Sequence, residues 1–392
     1  MLEGLPLARQ QRLRKVMREQ RMPALLIRDG INILYACGAQ NMTVFNTRTP
    51  ARYMLLFADG PCILFDYFGC EHLSNELPAV DLTLAAQGLD HISSGGDPAA
   101  SCLRMAHEVS ALAREHLGAP GELGIDALPF QAVDALRSQG FELLDANNAI
   151  DRAKAIKLSA EIEVMQEAMR RVDQAVATMH AELQPGQTEN ELWSRYWQPM
   201  LATGGQYVVT RLLQSGPRTF PYFQESSERI IQSGDLVCLD TDAIGYQGYA
   251  VDYSRTFHCG KVKPTASQQQ LYALAKAQLE HNAGLLLAGS SFEEIARKAW
   301  TIPEQYQRSR YYAIGHGLGM SGDFPNIPHA QNDQPYPLDG ALEAGMVVCI
   351  ESYIGCAEHR QGVKLENQYF ISETGPQCMS NYPLDKQLHS AG

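Results

Sequence analysis

An α+β protein of two domains is what this sequence predicts, and three observations predict it. The chain has 392 residues, more than one hydrophobic core usually spans. Strand-like and helical stretches alternate up to about residue 150, as in a small α/β domain. Beyond that point the strands follow one another mostly through hairpins rather than helical crossovers, which favours an antiparallel sheet with helices set apart from it.

In the first domain, residues 7–21 read as a basic amphipathic helix and Pro23-Ala24-Leu25-Leu26-Ile27 as a short buried strand. Tyr53 to Phe57 and Cys62 to Asp66 look like a hairpin around Ala58-Asp59-Gly60-Pro61, with turn residues between two apolar runs. Residues 100–117 are helical in pattern, and Gly121 to Ile125 returns to a strand. In the second domain a long helix opens at Lys157 to Glu163, with Ser159 as candidate N-cap. It should run to about Leu183, before Pro185-Gly186. A helix starts near Thr188, where Glu189 and Glu191 suit its positive end. Others cover about 266–288 and Ser291 to Lys298, and strands are expected over 206–214, 235–244, 249–257, 346–354 and 363–371. There is no short internal repeat and no low-complexity segment.

Composition narrows the function classes. Apolar residues make up 45% and charged residues 19%, ordinary for a globular protein. A net charge of −12 argues against nucleic acid and anionic membrane as partners. Nine scattered cysteines with no CxxC pair speak against a disulfide framework and for a reducing compartment. Met1 to Pro6 lacks the apolar core of a signal peptide, and no apolar run approaches the ~18 residues of a membrane span. A cytoplasmic protein is the expectation.

The most informative stretch is Leu239-Asp240-Thr241-Asp242-Ala243-Ile244-Gly245-Tyr246-Gln247-Gly248-Tyr249-Ala250-Val251-Asp252. Three carboxylates on an apolar, strand-like background would repel one another and resist ionising when buried. A divalent metal removes that conflict. Asp240 and Asp242 should share a strand face. A three-residue loop of Tyr246, Gln247 and Gly248 would place Gly248 in the left-handed position such loops favour. In that register Asp242 lies opposite Asp252, with Cβ atoms about 5 Å apart, a spacing over which two metals about 3.5–4 Å apart can sit. A solvent-facing acidic hairpin is the bland alternative, and the apolar neighbours weigh against it.

Carboxylate sites for first-row divalent metals usually add imidazole. Of eleven histidines, His72, His107, His116 and His180 fall in helical stretches and read as surface or packing residues. His316 lies between glycines in Gly315-His316-Gly317-Leu318-Gly319, where the backbone can come close to a ligand. Glu351 ends the apolar run Met346 to Ile350, and Glu366 lies in Val363-Lys364-Leu365-Glu366-Asn367. A polar loop from Gly355 to Gln361 suggests that these two strands pair. The set is rich in oxygen with one nitrogen, which suits Mn, Fe, Co or Zn.

Asp242, Asp252, His316, Glu351 and Glu366, with Gly248-Tyr249 and Ser254-Arg255-Thr256 around them, resemble the pita-bread metalloenzymes, which include methionine and X-Pro aminopeptidases, prolidases and creatinase. The resemblance covers the whole chain. It implies a creatinase-like α/β domain over 1–152 and a catalytic domain over 153–392 with a curved, mostly antiparallel sheet. It also implies two divalent metal ions that share the carboxylates, and a homodimer in which an N-terminal loop can reach the partner's site.

Two departures separate the chain from the peptidases of that family. Their first two aspartates are eleven apart, whereas Asp240 and Asp242 precede Asp252 by twelve and ten, with Thr241 at the usual ligand position. Either aspartate can then be the bridging one; the hairpin register favours Asp242. X-Pro peptidases also carry a histidine near Tyr222-Phe223 and another seven residues after the ligand histidine, where this chain has Asp323. Their absence removes neutral acid/base groups suited to amide cleavage, and His329 is the one nearby substitute. The segments Phe45 to Tyr53 and Arg211 to Thr219, with Asp240-Thr241-Asp242, look like dimethylsulfoniopropionate lyases of the DddP type. That resemblance implies β-elimination of dimethyl sulfide from a small carboxylate substrate, the metals stabilising enolate-like charge. The lyase pattern has its acidic base six residues after the histidine, at Gly322 here, with Asp323 one residue on.

Asp323 is therefore the candidate base, although Ser321-Gly322-Asp323 also reads as a simple turn. Tyr311 is a candidate proton-handling or orienting group. Arg48, Arg211 and Tyr222 are candidate substrate contacts, and Arg52 and Arg218 are further arginines able to grip a carboxylate. Gly317 to Gly322 matches GxGxxG formally, but Pro325 and Pro328 follow where a nucleotide-binding helix would open. Ser321 is in no GxSxG elbow. An X-Pro peptidase or another C–N hydrolase is the alternative activity. A non-catalytic binding module would have no reason to keep every ligand type.

Overall fold

The structure is a computed structural model and describes residues 4–49, 51–330 and 339–389. Met1 to Glu3, used above to judge the N-terminus, and Pro50 of the N-terminal motif lie outside the described residues. The chain divides into two compact units, Met1–Lys154 and Ala155–Gly392.

The first unit is built on a mixed sheet. Its strands are β1 (Ala24–Ile27), β2 (Tyr53–Phe57), β3 (Cys62–Asp66), β4 (Leu82–Ala85), β5 (Glu122–Ile125) and β6 (Glu142–Asp145), in the order β4-β3-β2-β1-β5-β6. Its helices are α1 (Leu5–Glu19), α2 (Gly30–Cys37), α3 (Thr43–Arg48), α4 (Pro98–Leu117), α5 (Phe130–Ser138) and α6 (Asn147–Ala155). β1 is antiparallel to β2 and parallel to β5. It is buried along its whole length, which is why it reads as an unbroken apolar run. Met105 and Val109 of α4 and Leu136 of α5 close the core over Leu26, Leu55, Ile63 and Leu123. The Asp97 carboxylate starts α4 by accepting from the Ala100 N–H at 3.0 Å.

The second unit opens with α7 (Ser159–Ala181) and α8 (Glu189–Ala202). Ser159 is the first helical residue of α7 rather than its cap. The orphan Leu158 N–H is taken instead by Glu161 Oε2 at 2.8 Å, one half of a capping box. Thr188 does cap α8, reciprocally with Glu191. Then follow β7 (Tyr207–Val208), β8 (Leu213–Ser215), β9 (Leu236–Asp240), β10 (Ala243–Ile244), β11 (Ala250–Val251), β12 (Ser254–His258), α9 (Ala266–Ala283), α10 (Phe292–Lys298), β13 (Ala313–Leu318), β14 (Gly322–Pro328), β15 (Val347–Cys356), β16 (Gln361–Ser372) and β17 (Gly375–Cys378). These strands form three antiparallel sheets ordered β11-β10-β7, β12-β9-β8 and β14-β13-β15-β16-β17. Leu271, Tyr272, Ala275 and Leu279 of α9 pack on Ile350, Ile354, Val363 and Leu365 of the five-stranded sheet. No helix among the described residues is long and apolar enough to cross a membrane.

The central hairpin keeps the register expected from the sequence but not the continuous strand. Ala243 pairs with Val251 and Ile244 with Ala250, and Asp240 pairs with Ser254. Gly248 takes the left-handed position at φ 79°. Between β9 and β10, however, Asp242 turns to φ 37°, a conformation Asp tolerates better than most residues. The chain there leaves one three-stranded sheet for another. Asp240 and Asp242 therefore do not share a face by simple alternation. Thr241 is tied to backbone: its hydroxyl donates to Val251 O at 3.1 Å and accepts from the Tyr253 N–H at 3.0 Å.

Candidate metal centre

Strands β15 and β16 are buried nearly throughout, so their alternation shows in chemistry rather than exposure. On one face Val348, Ile350, Ile354, Val363 and Leu365 join the α9 core. On the other lie Cys349, Glu351, Lys364, Glu366 and Gln368, by the period of two. Glu351 and Glu366 are direct cross-strand partners, and Cys349 pairs with His316 on β13 and with Gln368 on β16. A cavity of about 400 Å³ opens beside this face, across His316, toward the lower end of the size range of ligand pockets. Asp240, Asp242, Asp252, His316, Tyr311 and Asp323 all line it.

Six of the sequence-predicted residues thus meet: Asp240, Asp242, Asp252, His316, Glu351 and Glu366. His316 Nε2 is 3.4 Å from Glu351 Oε1, 3.6 Å from Asp252 Oδ2 and 3.8 Å from Glu366 Oε1. Its Nδ1 is 3.1 Å from Gly317 O. That contact fixes the ring and turns Nε2 to the carboxylates, an arrangement common in metal-ligating histidines. The flanking glycines have a steric reason: a Cβ on Gly315 would lie 2.3 Å from Cys349 O, and one on Gly317 2.2 Å from Phe324 O.

Lys364 was not singled out from the sequence. Its Nζ is 2.6 Å from Glu351 Oε2, 3.0 Å from Glu366 Oε2, 3.3 Å from Asp240 Oδ2 and 2.7 Å from Ser254 Oγ. The signal was its place two before Glu366 in an apolar strand, hence on the same face. Burial disfavours the ammonium, but Asp240, Glu351 and Glu366 outweigh it and raise Lys364 well above the usual range. Burial likewise pushes Asp240 and Glu351 up; Lys364, with the Tyr222 hydroxyl for Asp240 and His316 for Glu351, pulls both below their ordinary values.

The remaining carboxylates carry excess charge. Burial, then Glu366 and Asp242, push Asp252 well up. Burial, then Glu351, does the same to Glu366 despite Lys364. Burial and Asp240 bring Asp242 to about 7. Asp240 Oδ1, Asp252 Oδ1 and Glu366 Oε1 are buried with no hydrogen-bond partner. Orphaned anionic oxygens, converging with an oriented imidazole, fit divalent metal ions. Asp252, His316, Cys349 and Glu366 offer ligand atoms within 4.8 Å of one another.

The other sequence-predicted residues divide. Asp323 sits on β14, which alternates exposed and buried at its start, so Gly322 faces out and Asp323 faces in. Its Oδ2 is 3.5 Å from Lys157 Nζ and its Oδ1 3.2 Å from Ser321 Oγ. Tyr311 is buried beside Lys364, whose Nζ is 4.7 Å from its ring centroid. Tyr222 gives its hydroxyl to Asp240 and is not among the cavity-lining residues, whereas its neighbour Phe223 is. Arg211 pairs with Glu225 at 3.1 Å, about half exposed. Arg52 grips the buried Asp66 with both Nε and Nη2, and Arg218 pairs with the buried Glu189, so both have structural partners. Arg48 is an exposed residue ending α3. His329 is buried, burial and then Arg310 lowering it to about 4, and it does not line the cavity.

A histidine among buried carboxylates on antiparallel strands, in a unit that follows a creatinase-like one along the chain, defines a metal-dependent enzyme of the pita-bread class. Residues 163–373 match the metallopeptidase family M24 and residues 9–156 the creatinase/prolidase N-terminal domain; the chain belongs to family M24. The family and fold expected from the sequence are borne out. Dimethylsulfoniopropionate lyase DddP of Roseovarius nubinhibens is 32% identical, over 93% of this chain and 83% of that protein. A lyase of the same name from Roseobacter denitrificans gives the same three figures. An Xaa-Pro dipeptidase of Pyrococcus furiosus is 27% identical over 60% of this chain and 65% of its own. Among solved structures, an Xaa-Pro dipeptidase from Bacillus anthracis superposes with a TM-score of 0.78 at 20% identity, covering 97% of this chain and 98% of that one. It shares the fold.

Proposed function

We propose that this enzyme is a lyase that cleaves the C–S bond of dimethylsulfoniopropionate, or a close β-sulfonium carboxylate, to dimethyl sulfide and acrylate. The observation that carries the reading is what lines the cavity where X-Pro peptidases have two histidines. Phe223 lines it near the first of those positions, in the Tyr222-Phe223 pair, and the inward-facing carboxylate of Asp323 lines it at the second. Phe223, Tyr311 and Tyr312 form an aromatic wall, with ring centroids 5.4 Å apart for Phe223–Tyr311 and 4.8 Å for Tyr311–Tyr312. Such faces attract an onium cation. The 32% identity to two lyases over 93% of the chain supports the same reading.

In this scheme Asp240, Asp242, Asp252, His316, Glu351 and Glu366 would hold two divalent metals of the Fe, Mn, Co or Zn group. The metals, when bound, supply Lewis acidity at the substrate carboxylate. Asp323 removes the proton α to that carboxylate; the electron pair forms the Cα=Cβ bond, and dimethyl sulfide departs with the C–S pair. Burial, then Glu351, keeps the Tyr311 hydroxyl protonated far above its ordinary range, so Tyr311 acts as a hydrogen-bond donor rather than a base. Arg48 and Arg211 remain substrate-carboxylate candidates, Arg48 from the partner in a homodimer. The setting proposed is cytoplasmic.

Headspace dimethyl sulfide from purified enzyme tests the reading. It should appear with metal and vanish with chelator. Release of proline from X-Pro dipeptides with no dimethyl sulfide would instead establish the peptidase. The placement of Asp323 has its own check. A Cβ on Gly319 would lie 2.1 Å from Asp323 Oδ2, so Gly319→Ala must push the carboxylate aside. Turnover should fall about 100-fold with metal content unchanged. Unaltered turnover would remove Asp323 from the role of base.

A further inference from the structure

We propose that Cys349 is a metal ligand, its Sγ completing a sulfur-bearing position with Asp252, His316 and Glu366. The inference rests on the metal-centre reading and is independent of the substrate. Cys349 is fully buried and lies two residues before Glu351 on β15, so both side chains leave the strand on the same, carboxylate-bearing face. Its cross-strand partner on β13 is His316, which brings the thiol beside the imidazole. The four ligand atoms lie within 4.8 Å of one another. Two of the partners present orphaned oxygens, Asp252 Oδ1 and Glu366 Oε1, both buried and without a hydrogen bond. The metal-free thiol has an outlet as well: its Sγ is 3.5 Å from Asp252 O, to which it donates.

The chemistry of this position differs from an all-oxygen-and-nitrogen centre. When a divalent ion binds, the metal–sulfur bond forms as the S–H bond breaks, and the proton leaves to water; nothing is oxidised or reduced. One thiolate with one imidazole and two carboxylates shifts preference toward Zn(II), Fe(II) or Co(II) and away from Mn(II). Asp240, Glu351 and Glu366 also face the Lys364 ammonium, whereas Asp252 and Cys349 make no ion pair with it.

X-ray absorption on the zinc-loaded full chain decides the point without any mutation. A sulfur scatterer at about 2.3 Å is expected. Its absence in fully loaded protein overturns the proposal and leaves the metal centre standing. Loaded with cobalt(II), the enzyme should show a sulfur-to-metal charge-transfer band that Cys349→Ser abolishes and Cys378→Ser, at an exposed cysteine, does not. An identical band in C349S sinks the idea. Competition adds a readout that a merely structural thiol would not move: C349S should lose at least tenfold in its zinc-over-manganese preference, whereas an outer hydrogen bond to Asp252 O would weaken both ions alike. Should C349S not fold, the absorption experiment still stands. A chain that takes up no metal at all refutes the ligand along with the centre.

Discussion

Replacing Lys364 with methionine should destabilise the metal-free protein far more than the metal-loaded one. Methionine keeps the length and the apolar stem but deletes the cation that sits 2.6 to 3.3 Å from Glu351, Glu366 and Asp240. Removing one partner of a buried ion pair costs about 3–5 kcal/mol, because the other charge is left uncompensated. For a unit of this size that corresponds to a Tm lower by roughly 10 °C. Divalent metal binds the folded state and supplies the missing positive charge, so saturation should recover much of the loss. Lys364→Arg should fall between, since its charge is kept in a larger, forked group. Calorimetry with chelator and with saturating metal measures the difference. Equal losses in both states would mean that Lys364 matters only for packing against Tyr311 and Tyr222.

Lys364 also shows where sequence reasoning stopped. The carboxylates and His316 were legible because such residues are rare inside apolar strands. Lys364 and Cys349 occupy the same faces, two positions from Glu366 and Glu351, and obey the same period. Neither stands out in the sequence, because β15 and β16 are buried on both sides, which hides the inside-outside contrast that usually reveals a face. The break at Asp242 was not legible for a different reason. The register came from the loop, and the loop was right; but whether β9 continues into β10 depends on which neighbouring strand each pairs with, β8 or β7. That is a tertiary fact. Likewise Arg52 and Arg218 looked available for substrate only because Asp66 and Glu189, their partners, lie 14 and 29 residues away. Asp323 was readable as a turn because Pro325 and Pro328 disguise β14, and only the strand's alternation turns it inward.

The gap in stability between metal-loaded and metal-free protein should also widen as pH rises. In the metal-free chain Asp242 is raised from 3.8 to about 7; burial and then Glu366 also raise Asp252 well above its ordinary value, and burial and then Glu351 raise Glu366. A carboxyl whose folded pKa exceeds its unfolded value binds its proton more tightly when folded, so stability falls as pH rises between the two values. His316 acts in the same direction: burial would lower it, but Glu351 brings it from 6.5 to about 9. Its contribution is complete below pH 6.5 and lost as pH rises through about 9. Asp240 and Glu351, held low, contribute only above their unfolded values and lose that contribution as pH falls below about 4. The metal-free Tm should therefore peak near pH 5 and decline toward pH 9. Each net pKa unit is worth about 1.4 kcal/mol, or roughly 2–4 °C in Tm. Metal ions require the same groups deprotonated, so the stabilisation they add must grow over that range. The two Tm curves, measured from pH 5 to pH 9 with chelator and with excess metal, should diverge steadily as pH rises. Parallel curves would show that these carboxylates and His316 are not where the metal binds.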